Sequence, residues 1–156
     1  MICGCQGVLN FGTGFTSPDS ASTFTIPSAA AKAVTVGAYD AGTGSAAPFS
    51  GRGYIVEIGG SLMVKPELAA PGVNVLVPSV SGMARVSGTS YATPFVTGSA
   101  ALLMEWGIVR GNDAFLYGEK LKAYLIKGAE PLAGAAVPDT QTGWGRLCLK
   151  NSLPQA

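Results

Sequence analysis

Residues 32–39, KAVTVGAY, carry β-branched and small apolar side chains on both alternating faces, the pattern of a strand buried in a parallel sheet. Residues 40–47 then read as a turn. A second extended stretch, residues 68–78, contains Pro71 and Gly72, which predicts two short strands with a bend between them. Residues 83–87, MARVS, add another short strand. After Gly88 the period changes. Ala92, Phe95, Val96, Ala100, Leu102, Leu103 and Trp106 cover more than one helical face, so a helix buried on most of its sides is expected. Gly98, Ser99 and Ala101 would let neighbours approach it closely, and Pro94 is expected near its first turn, where a missing amide costs little. A further helix should start at a capping Asn112 or Asp113 and end near Gly128. Its apolar face is Tyr117, Leu121, Tyr124 and Leu125, and its wet face Glu119, Lys120, Lys122 and Lys127. The tail from Gly143, GWGRLCLKNSL, reads as a short strand running into a helical turn, whereas residues 1–24 show no clear period.

Composition narrows the class. With 156 residues, 47% hydrophobic and 12% charged, the chain has material for one core, so one domain or part of one is expected. Glycine is abundant and aromatics few, which favours an α/β interior of Ala, Val and Leu. A net charge of +1 with scattered basic residues offers nothing to nucleic acid. The apolar stretch at residues 92–106 is broken by Thr93, Pro94, Thr97 and Glu105 and is shorter than the roughly 20 residues a bilayer needs, so no membrane partner is expected. The start, MICGCQGVLN, has no basic segment ahead of a long apolar core, and no secretory signal is read there. Cys3 and Cys5 are too close for an easy disulfide, and with Cys148 the thiol count is odd. The sequence has no histidine, so neither a mixed zinc site nor any other metal or cofactor is expected.

One serine stands out by position. Ser90 lies where the small-residue loop Ser87-Gly88-Thr89 meets the long apolar helix. The first amides of a helix lack internal partners and carry the positive end of its dipole, so they can stabilise an anion formed beside such a serine. Ser90 could then supply both a nucleophile and one backbone N–H of an oxyanion hole. Position alone favours the simpler alternative, an ordinary helix cap. The α/β-hydrolase elbow does not fit, because Ala92 stands where its second glycine belongs and no histidine is present downstream. A Ser-x-x-Lys arrangement is absent too.

The residues from Gly88 to Gly98, GTSYATPFVTG, resemble the nucleophile motif of subtilisin-like serine proteases, G-T-S-x-A-x-P-x-V-x-G. VTVGAYD at 34–40 with FSGRG at 49–53, KPELAAPGV at 65–73, and GWGRL at 143–147 resemble the same family in the same order. The resemblance covers residues 25–153, leaving 1–24 as a poorly matched, loop-rich start. Residues 105–113 are similar to the subgroup associated with spore germination. The resemblance implies a three-layer α/β/α fold with a partial parallel sheet and a buried nucleophile helix, the N-terminal half being absent. It also implies an endopeptidase acting on peptide or protein, with Ser90 as nucleophile and its N–H in the oxyanion hole.

The chain departs from the family pattern in what surrounds that serine. The triad runs Asp, His, Ser along the chain, and both partners would lie upstream of this sequence. A serine hydroxyl without a base is a poor nucleophile, so the chain alone is expected to be inactive. The missing N-terminal half is then a candidate partner; a pseudoprotease or binding module is the alternative. Phe95 stands where the motif often has a histidine that is not the catalytic base. The family's oxyanion asparagine is not assigned, since the surroundings of Asn10 do not resemble its Gly-Asn segment. Sedolisin-like peptidases share Ser-Gly-Thr-Ser, matched at 87–90, and use a glutamate base, but the spacing of Ala92, Pro94 and Gly98 fits them less well, and Glu67 is expected in a structural strand.

Overall fold

A computed structural model describes Ser17 and residues 19–154. In chain order the elements are β1 (Val36–Tyr39), β2 (Ile55–Ile58), β3 (Ser61–Val64), β4 (Leu68–Pro71), β5 (Val75–Ser79), β6 (Gly82–Val86), α1 (Thr89–Met104), α2 (Gly118–Lys127) and α3 (Leu149–Ser152). A π-helical turn, Glu105–Val109, continues α1.

β1 and β4 pair in parallel, with Val36 opposite Leu68 and Tyr39 opposite Pro71. The tail extends this pair: Ala69 N–H donates to the Gly145 carbonyl at 2.9 Å and Leu147 N–H to the Ala69 carbonyl at 2.8 Å. The expected short strand at the tail is therefore a third line of the sheet. β1 is shorter than the apolar run that predicts it. Ahead of Val36 the backbone is held by side chains: Thr35 N–H donates to Glu67 Oε2 and the Ala33 carbonyl accepts from Lys65.

α1 runs over this pair, and the core gathers Ala38, Leu68 and Ala70 from the strands with Ala92, Val96 and Leu103 from the helix. Small residues set the spacing. A Cβ on Gly72 would lie 2.6 Å from the Ala38 Cβ and 3.0 Å from the Gly88 carbonyl oxygen, so glycine is what lets the loop ahead of α1 sit on the end of β4.

Several sequence expectations are corrected. α1 is not buried on most sides: its buried residues are Ala92, Val96, Ser99 and Leu103, one stripe, while Phe95 and Leu102 are 42% and 55% exposed. The stripe is what the sheet can reach; among the described residues nothing covers the opposite face. With its π-helical extension the helix spans Thr89–Val109, 21 residues, within which an 18-residue window has mean hydropathy 1.2, so by length and composition alone it is long and apolar enough to cross a membrane. Pro94 lies beyond the first turn, where it leaves the Ser90 carbonyl without its usual i+4 donor. α2 starts at Gly118 rather than at Asn112 or Asp113, because Asn112 caps the preceding helix through Nδ2 to the Trp106 carbonyl and Asp113 closes its own turn onto Phe115 N–H. Tyr117 consequently falls outside α2 and is exposed.

Two hairpins complete the fold. β2 pairs with β3 across Gly59 and Gly60, both at positive φ, and β5 pairs with β6. The β2–β3 hairpin is not among the sequence expectations, although IVEI and SLMV carry the residue types of two short strands on either side of a Gly-Gly turn.

Candidate active site

Ser90 is the second residue of α1, and a short series of backbone bonds fixes where that helix begins. Gly72 N–H donates to the Tyr39 carbonyl at 3.0 Å, and Gly88 N–H donates to the Gly72 carbonyl at 2.8 Å. Nearby, Asn74 N–H donates to Ser87 Oγ at 2.9 Å. The helix start is thereby tied to the carboxyl ends of β1 and β4, where open α/β sheets place their ligand sites.

The N-cap is Gly88, at φ 155° and ψ 155°, a region open almost exclusively to glycine, and it offers no side chain to the first turn. Ser90 does not cap the helix. Tyr91 N–H closes on the Gly88 carbonyl at 3.1 Å, whereas among the described residues the N–H groups of Thr89 and Ser90 have no protein acceptor. The neighbouring hydroxyls are spent within the helix: Thr93 Oγ1 donates to the Thr89 carbonyl and Thr97 Oγ1 to the Thr93 carbonyl. Ser90 is exposed, and its hydroxyl makes no side-chain hydrogen bond among the described residues. It lines an open cleft of about 290 Å³ with Thr89 and Thr93, faced by Pro27, Ser28 and Thr35.

This arrangement offers a free hydroxyl beside free amides at the positive end of a helix, and so can stabilise negative charge next to an oxygen nucleophile. It offers no base. No described acid or lysine hydrogen-bonds to Ser90, and the sequence has no histidine. Glu57 sits in the β2–β3 hairpin, and Glu67 is committed to Lys65 and Lys122. Cys148 is a free, half-buried thiol, and among the described residues no acidic or thiol cluster could hold a metal. Cys3, Cys5 and Asn10 lie outside the described residues.

Lys122, expected on the wet face of α2, instead brings its ammonium to Glu67, which also pairs with Lys65 at 2.7 Å. Burial pushes the Lys65 ammonium below its ordinary pKa, and the hydrogen bond to Glu67 works against that shift. A signal for this trio exists in the sequence: Lys65 and Glu67 directly precede the apolar run LAAP, and charges carried into a core require partners.

Comparison with known proteins identifies the family. Residues 10–145 match the model of the subtilase family, peptidase S8. The chain belongs to the subtilase family. Among solved structures, this subtilase chain is similar to the CspB protease of Clostridium perfringens, with 44% identity and a TM-score of 0.78, covering 90% of this chain and 30% of that one. It is also similar to the self-cleaved protease domain of PatA, with 30% identity and a TM-score of 0.62, covering 81% of this chain and 42% of that one. The PII-type proteinase of Lactococcus lactis subsp. cremoris is 38% identical over 67 residues, 42% of this chain and 4% of that protein. The subtilase chain thus spans less than half the length of each of these relatives. The mixed α/β architecture with a parallel pair agrees with the fold the motifs imply, and it represents part of such a domain.

Proposed function

We propose that this chain supplies the nucleophile of a subtilase-type serine endopeptidase acting on peptides or proteins. Ser90 attacks the peptide carbonyl, and its own N–H donates to the oxyanion that forms. The observation that carries this reading is the exposed Ser90 hydroxyl beside the N–H groups of Thr89 and Ser90, which have no acceptor among the described residues, at the start of α1 inside the GTSYATP motif. Residues 25–153 act as the C-terminal part of the peptidase domain. The acid and base come from residues outside this sequence, which has no histidine. Loss of the histidine costs about a millionfold in turnover in subtilisin, so the chain alone is silent. The bare face of α1, with Phe95 and Leu102, is where the N-terminal part of the domain packs.

The purified chain, and the longest transcript-supported form of it, should be treated with a fluorophosphonate and the labelled residue mapped. Labelling of Ser90 in a form that includes the acid and base, lost in Ser90→Ala, supports the reading. If such a form leaves Ser90 unlabelled, the endopeptidase assignment fails. The second reading, a non-catalytic binding module, is favoured by the absence of histidine and gains if no longer form exists. A sedolisin-like mechanism is disfavoured by the engagement of Glu67 with two lysines.

A further inference from the structure

Two lysines meet one carboxylate beside the cleft that Ser90 lines. Lys65 and Glu67 are 0% and 2% exposed and 2.7 Å apart, and Lys122 reaches the same Glu67 Oε1 from α2. The other bonds of the trio converge on the segment leading into β1. Lys65 Nζ donates to the Ala33 carbonyl at 2.7 Å and to Thr35 Oγ1 at 3.3 Å. Lys122 Nζ donates to the Ala31 carbonyl at 2.8 Å and the Ala33 carbonyl at 3.4 Å. Glu67 Oε2 accepts the Thr35 N–H at 2.7 Å, and the Thr35 hydroxyl donates to the Ser28 carbonyl at 2.6 Å. Ser28, Ala33 and Thr35 line the cleft that Thr89, Ser90 and Thr93 also line.

Stability alone does not call for this arrangement, because well-packed apolar residues often replace a buried ion pair at no loss. Charged hydrogen bonds add direction and length, and here they set where one backbone segment lies relative to β4 and α2. We propose that Lys65, Glu67 and Lys122 are positioning residues for the Ser90 site, holding the 28–35 segment at a fixed distance across the cleft from Ser90. This role rests on the reading of Ser90 as the reacting group, but its test does not require catalysis. Lys122 makes the cleft sensitive to the placement of α2, an element with no residue lining it.

The experiment uses the full chain with Cys3→Ser, Cys5→Ser and Cys148→Ser, carrying Ser90→Cys as a reporter. Alkylation of the thiol introduced at position 90 is timed with iodoacetamide and with a bulky fluorescein iodoacetamide, and the ratio of the two rates measures the width of the cleft. Glu67→Gln and Lys122→Met are expected to reduce that ratio by roughly tenfold, within the about hundredfold that misplacement by about an ångström can cost a reaction. Leu116→Ala, a core truncation outside the cleft and the trio, is expected to lower the melting temperature and leave the ratio unchanged. Lys122→Arg, which keeps the charge, should restore it. The proposal is overturned if Glu67→Gln and Lys122→Met change the ratio no more than Leu116→Ala does, or if the parent reporter shows no discrimination between the reagents. Should Glu67→Gln fail to fold, Lys122→Met, at a site still 17% exposed, decides alone. The pH dependence of the same alkylation tests the underlying reading separately: a thiol with an ordinary pKa at position 90 would remove the helix-start anion site and leave the result on the trio standing.

Discussion

Gly88 donates its N–H to the carbonyl of Gly72 at 2.8 Å, so the end of β4 and the start of α1 form one joint, and Ser90 comes two residues later. The joint closes because Gly72 has no side chain. In Gly72→Ala the added methyl meets the Ala38 Cβ and the Gly88 carbonyl oxygen, both parts of the core framework. Overpacking of this kind costs about 1–3 kcal/mol. Urea unfolding of Gly72→Ala should show a loss in that range, and a wild-type midpoint would mean the joint is loose.

Ser90→Ala should leave stability within about 0.5 kcal/mol of the parent, because the hydroxyl neither caps α1 nor bonds to a neighbour among the described residues. Chemical denaturation measures this directly. A loss above about 1 kcal/mol would be the signature of a capping serine instead.

Glu67→Gln leaves the Lys65 and Lys122 ammonium groups facing a neutral amide in a site closed to water at Lys65. Breaking a buried pair from one side costs about 3–5 kcal/mol. Equilibrium unfolding should show a drop of this order, and a drop below about 1 kcal/mol would mean that water reaches the lysines.

Acid should weaken the fold through two surface carboxylates. Lys120, at 2.6 Å, holds Asp113 below the ordinary carboxylate range, and Arg146, at 2.7 Å, does the same for Glu130. A depressed folded pKa gives stability that is present above the unfolded value, about pH 4, and is lost as pH falls through the folded value. The urea midpoint should therefore decline below about pH 4.5, and Glu130→Gln should flatten part of that decline. Both pairs face solvent, so high salt should shrink the effect. An acid limb identical in Glu130→Gln would exclude this origin.

Phe95→Asp and Leu102→Asp place charges on the uncovered face of α1, where the native side chains are 42% and 55% exposed. The chain itself should lose less than about 0.5 kcal/mol. Capture of a separately made N-terminal part of a subtilase domain, monitored by analytical ultracentrifugation, should fail for both variants. Unimpaired capture would place the docking face elsewhere.

The motif residues and the order of elements were legible because they are local. GTSYATP marks a tight loop before a helix, the strand around VGAY reflects its β-branched and small residues, and the break at Pro71 and Gly72 reflects backbone restriction. The extent of burial was not legible. The apolar positions of α1 suggest a helix enclosed on most sides, yet a hydrophobic pattern records what a helix is suited to contact and not what is present to cover it. Lys122 fits a solvated face by its spacing, and only the approach of the 65–67 segment makes it a partner of Glu67.

The sequence by itself determined that Ser90 stands at a loop-to-helix boundary in a subtilase motif and that no histidine of this chain can serve it as base. The tertiary structure decided that Gly88, not Ser90, caps the helix, that the N–H groups of Thr89 and Ser90 have no acceptor among the described residues, and that Lys65, Glu67 and Lys122 meet beside the segment leading into β1. The division has a physical cause. Turn and helix signals act between residues a few positions apart, whereas Lys122 is 55 positions from Glu67 and Gly88 meets Gly72 only once the strand and the helix have packed.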